Sequence, residues 1–76
     1  MSSKLPAVTA KDLVRVAQKL GFAFRRQSGS HAIYVRDADG ARVVIPIHSG
    51  RNLKPKTLHG ILQDMKLTLD EFGTLL

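Results

Sequence analysis

HAIYVR over His31–Arg36, DADG over Asp37–Gly40 and ARVVIPI over Ala41–Ile47 decide the fold. β-Branched and aromatic residues fill the two outer runs, and the Asp-Ala-Asp-Gly between them is turn chemistry, so the stretch predicts two strands joined as a hairpin. Pro46 has no N–H for a ladder and is expected where its strand loses an inner partner. Just upstream, Phe22–Gln27 alternates apolar with small or polar residues and reads as a further strand. Before that, Thr9 with Asp12 forms a capping-box-like start, Leu13, Val16, Ala17 and Leu20 recur at helical spacing, and Gly21 supplies the stop. A first helix over about residues 10–20 follows from that spacing.

Downstream of the hairpin, Pro55 stands at a favoured first-turn position and Leu58, Ile61, Leu62 and Met65 make the apolar stripe of a second helix, which Gly60 weakens modestly. Thr68 with Glu71 is another capping box and heads a short terminal helix whose Leu69, Phe72 and Leu76 are expected to pack on the core. The order is αβββα plus a terminal turn. This is an α+β domain, a three-stranded antiparallel sheet with helices on one face and the other face free. Phe22 and Phe24 are expected in the core, and Arg25 and Arg26 on opposite faces of their strand. Alternation puts His31 with Ile33 and Val35, at the rim of the helix-covered core, and Tyr34 opposite.

Length and charge narrow the function. A chain of 76 residues is one domain, near the size where a single core barely suffices; residues 1–8 are expected to form a flexible N-terminal segment. The absence of cysteine excludes disulfides and fits a reducing compartment. No window approaches the roughly 18 apolar residues of a membrane span, and Met1–Pro6 has no signal-peptide apolar core. The expectation is a cytoplasmic protein with no membrane partner. The net charge of +6 is uneven: residues 11–56 hold ten Lys and Arg against Asp12, Asp37 and Asp39, a net of +7, and the remainder nets −1. A basic body of this kind attracts nucleic acid and holds it in a salt-dependent way, although acidic proteins and membranes also suit it.

The catalytic inventory is short. The sequence has no framed Ser/His/Asp set and no phosphate-cradling glycine loop, and its three scattered histidines lack metal-ligand spacing, so neither a metal nor a cofactor is expected. Chemistry falls to histidine, Lys/Arg and backbone. Imidazole is the side chain whose ordinary pKa lies nearest neutral. His31 follows Gly29-Ser30, and a lone histidine at a strand start is by default structural. His48 follows Pro46-Ile47 near Arg51 and Lys54, and reads equally as substrate binding or loop structure. His59 is expected to face solvent. Tyr34 offers a ring for stacking on an RNA base, but a half-buried sheet aromatic is the commoner outcome.

The ordered set Gly21-Phe22, Arg26-Gln27-Ser28-Gly29-Ser30-His31, Asp39-Gly40 with Arg42-Val43, Ile45-Pro46-Ile47-His48-Ser49-Gly50, Leu53-Lys54 and Thr57-Leu58 with Ile61-Leu62 resembles the HicA toxin family of bacterial toxin–antitoxin systems, from about Leu5 to Phe72. The resemblance implies a fold like the double-stranded-RNA-binding domain, ribosome-independent cleavage of mRNA, an essential histidine at His31, and neutralisation by a HicB-type antitoxin, with the toxin monomeric on its own. Two positions depart from the family pattern. Ala32 stands where a second histidine or an aromatic is common, which would alter substrate contact. Lys56 replaces a glycine before the second helix, where a cation opposes the helix dipole and is better explained by a bound anion.

Cleaving RNA without a metal requires a base for the ribose 2′-hydroxyl, stabilisation of a phosphorane, and a proton for the departing 5′-oxygen. An imidazole suits the first or last of these tasks, and the resemblance implies that His31 is the one that acts as general acid/base, with Gly29 and Ser30 offering close backbone approach, a hydroxyl and an amide. Arg26, Arg51 and Lys54, together with His48, are the expected substrate-binding residues. A non-catalytic RNA-binding module of the same fold is the alternative, and a domain whose basic face meets only an acidic protein is a more distant one.

Overall fold

The computed structural model describes residues 7–48 and 51–76. Its order is α1 (Ala10–Lys19), β1 (Ala23–Ser28), β2 (His31–Arg36), β3 (Ala41–Pro46), α2 (Pro55–Asp64) and α3 (Leu69–Leu75). Local chemistry sets most of these ends. Thr9 and Asp12 close a reciprocal capping box at α1, and Thr68 and Glu71 do the same at α3. At the far end of α1, Gly21 adopts φ 92°; its N–H donates to Gln18 O at 3.0 Å and that of Phe22 to Ala17 O at 2.9 Å, the double closure that a left-handed residue permits.

The strands form one antiparallel sheet in the order β1-β2-β3. In the β2–β3 hairpin the register runs from Arg36 opposite Ala41 to His31 opposite Pro46. The pairing continues one step beyond, since Ile47 N–H donates to Ser30 O at 2.6 Å. With residues 30 and 47 hydrogen-bonded, the 31–46 pair is of the non-hydrogen-bonded kind, in which side chains approach most closely. Pro46 is thus still paired on its inner side, contrary to expectation. The position where its missing N–H would point is the free outer edge of β3.

The helices pack on the sheet at β3 and enclose one core: Leu13 and Val16 from α1, Tyr34, Val43 and Ile45 from the sheet, Leu58 and Leu62 from α2, then Met65 and Phe72. Phe72 is 0% exposed; full burial of such a ring stabilises by about 1.5–3 kcal/mol, which together with Lys19 Nζ donating to Leu75 O at 2.7 Å docks α3 against α1. Val8 is also in this core, and its carbonyl accepts from Leu53 N–H at 2.7 Å. Of the N-terminal segment expected to be flexible, residues 1–6 lie outside the described residues, and Val8 does not belong to such a segment.

Four further expectations change. Tyr34, not His31, is on the helix-covered face; Ala32, Tyr34, Val43 and Ile45 share the core, and alternation leaves His31 on the open face with Ile33. Phe24 is 55% exposed, because the helices pack chiefly on β3 at the far side of the sheet; its ring meets that of Tyr34 in a T-shaped pair, centroids 5.7 Å apart. A bulge between Phe24 and Arg26 breaks the alternation that would have put Arg25 and Arg26 on opposite faces. Leu76 is exposed and Leu75 packs at the core margin in its place, while Leu69 packs there as expected.

Candidate functional site

Four segments meet at the open end of the β2–β3 hairpin: the β1–β2 turn, the end of β3, the loop that follows it, and the start of α2. The turn is Gly29-Ser30, and Gly29 at φ 58° occupies the position where a two-residue hairpin turn favours glycine. A Cβ on Gly29 would meet no heavy atom within 4 Å, so this backbone angle, not space, is what the fold demands of it. The turn delivers His31 as the first residue of β2, exposed and opposite Pro46.

Beyond Pro46, Ile47 turns its side chain to the core margin, and His48 follows it, exposed. Arg51 N–H donates to His48 O at 3.1 Å; Ser49 and Gly50 lie outside the described residues. The loop is pinned on its other side by the Leu53–Val8 hydrogen bond and an isolated bridge between Thr9 and Asn52. Lys54 then serves as the N-cap of α2 without a side-chain hydrogen bond. Pro55 has no N–H, so the amides of Lys56 and Thr57 are the donors of that first turn left without helical acceptors.

These segments enclose a cleft of about 440 Å³ whose wall includes His31, His48, Arg51 and Lys54. No acidic residue lines it among the described residues, and neither cation belongs to an ion pair there. The first turn of α2 also contains no acid, whereas the other two helices begin with carboxylate caps. The positive end of the α2 dipole therefore adds to the cations. The cleft can bind an anion and present two imidazoles to it.

The sequence-derived residues divide accordingly. His31, His48, Arg51 and Lys54 come together. Gly29 and Ser30 form the adjoining turn, with Gln27 Nε2 bonded to Gly29 O at 3.1 Å, but are not in the cleft wall. Arg26 is exposed on β1 opposite Ile33, also outside it. Asn52 and Thr57 line the cleft and were not singled out from sequence. Thr57 was reachable, being three residues beyond Lys54 in a helix that Pro55 announces; Asn52 gives no such signal. Tyr34 is buried on the helix side and unavailable for base stacking, and Ala32, 2% exposed in the core, makes no surface for substrate. The second family departure, Lys56, is exposed in the first turn of α2. His59 faces solvent as expected.

Among the described residues no group of three or more His, Cys, Asp or Glu is arranged to hold a metal ion, and no helix is long and apolar enough to cross a membrane. Residues 10–67 match the family described as the HicA toxin of bacterial toxin–antitoxin. A search of curated proteins finds no match to the chain.

Proposed function

The chain belongs to the HicA toxin family of bacterial toxin–antitoxin systems, and from that premise we propose that it is an mRNA endoribonuclease in which His31 transfers a proton at the scissile phosphate. Membership carries with it an antitoxin partner of some kind; a HicB-type protein is the one proposed. The observation that supports the nuclease reading best is the meeting of His31 and His48 with Arg51 and Lys54 in one cleft free of acids.

The chemistry follows from those groups. The 2′-oxygen of a ribose attacks its own 3′-phosphate, the bond from phosphorus to the 5′-oxygen breaks, and a 2′,3′-cyclic phosphate and a 5′-hydroxyl result. Arg51, Lys54 and the free amides of α2 offset the charge that gathers on the phosphorane. An imidazole within reach of the reacting oxygens contributes about 10²–10⁴ in rate. Gly29 and Ser30 border the phosphate path and Arg26 extends it along the outer strand.

The test is incubation of the purified chain with single-stranded RNA in the presence of a chelator. Cleavage leaving cyclic phosphate and 5′-hydroxyl ends, stopped by the HicB-type antitoxin, is expected. Retarded migration of RNA without cleavage would favour the non-catalytic module instead, and no retardation at all the protein-binding domain.

A further inference from the structure

Resting on the nuclease reading, we infer that His48 is not only a substrate contact but the second proton carrier, so that His31 and His48 work as a base–acid couple across the scissile phosphate. The register supplies the argument. His31 lies opposite Pro46 in the closely approaching kind of pair, and Ile47 faces the core. The pairing reaches Ile47, whose N–H donates to Ser30 O, so His48 is the first residue beyond it and stands beside the start of β2, where His31 lies. Both are exposed at one cleft. In an in-line displacement the attacking 2′-oxygen and the departing 5′-oxygen stand on opposite sides of phosphorus, and each proton carrier sits about 3 Å beyond its oxygen. Two imidazoles lining one cleft can stand on either side of such a phosphate; one side chain cannot.

The proton balance is closed. One neutral imidazole takes the 2′-hydroxyl proton as the O2′–P bond forms, and the other, protonated, gives its proton to the 5′-oxygen as the P–O5′ bond breaks. Arg51 and Lys54, the cations lining the cleft, hold the phosphate and take no part in that exchange.

The experiment compares His48→Gln and His31→Ala with the unaltered chain on a short RNA of mapped cleavage site and on the same RNA with sulfur in place of the bridging 5′-oxygen. A thiolate, with an ordinary thiol pKa of about 8.5, leaves without a proton donor. His48→Gln should slow cleavage of the oxygen RNA by about 10²–10⁴-fold with an unchanged unfolding midpoint. One variant should recover on the sulfur RNA while the other does not. A His48→Gln chain cleaving both RNAs at the original rate overturns the inference alone. So does a loss confined to KM, or failure of both variants to recover on sulfur. If the unaltered chain cleaves neither RNA, the nuclease reading falls and takes the couple with it.

Discussion

Replacing Arg51 and Lys54 together by alanine should change how RNA binding responds to salt, by an amount the cleft sets. Both side chains line the cleft, and neither is ion-paired there, so each is free to displace one counterion from a phosphate. For single-stranded nucleic acid the slope of log affinity against log salt is about −0.7 per phosphate neutralised, so losing two cations should make the slope shallower by about 1.4. Over a fourfold rise in salt, from about 50 to 200 mM, the unaltered chain should lose roughly sevenfold more affinity than the double variant. Fluorescence anisotropy of a labelled RNA at several salt concentrations measures this directly. Both residues are exposed, so the unfolding midpoint should stay put. Lys66→Gln serves as the control: its charge lies near Asp39, at the opposite end of the β2–β3 hairpin, and the slope should not move. A slope unaltered in the double variant, or one that moves as much in the control, refutes the placement of phosphate in this cleft.

Two glycines should respond in opposite directions. Gly21→Ala puts a side chain at φ 92° and should destabilise by about 1–2 kcal/mol, while Gly60→Ala, in a helix with open space around the new Cβ, should stabilise by about 0.5–1 kcal/mol; thermal unfolding reads both. Asp39 accepts from Arg36 at 3.0 Å and from the Ala41 N–H, and these bonds, the Arg36 pair foremost, lower its pKa from 3.8 to about 2. Its stabilising effect is thus full above about pH 4 and lost as pH falls towards 2. Asp39→Asn should remove that part of the acid sensitivity in a pH-dependent unfolding series. An antitoxin complex should cover His31 or the Arg51–Lys54 loop, because occluding a basic cleft serves encounter rate and affinity together; a complex leaving both open to solvent contradicts simple occlusion.

The element ends were legible because their signals are local. A Thr/Asp or Thr/Glu box, a left-handed glycine and a first-turn proline each act within one helical turn, and all stand where the sequence puts them. The faces of the sheet were not legible in the same way. Nothing near Phe24 or Tyr34 reveals that the helices pack chiefly on β3, so an equal pair of aromatics ends with one ring buried and one in water. The bulge at Arg25 involves no glycine and leaves no composition mark. The site followed the same division. His31, His48, Arg51 and Lys54 were identifiable by type, yet their convergence depends on the 31–46 register, which pairs residues fifteen positions apart. The turn glycine was noticed for nearness to phosphate, whereas the fold requires its φ.

His31→Ala tests the central claim most directly, because an exposed imidazole at a strand start contributes little to the core. The account predicts cleavage of single-stranded RNA reduced by at least about 10²–10⁴-fold, loss of growth arrest on expression, and an unfolding midpoint and RNA affinity close to those of the unaltered chain. A folded His31→Ala chain that still cleaves RNA at the original rate would contradict it.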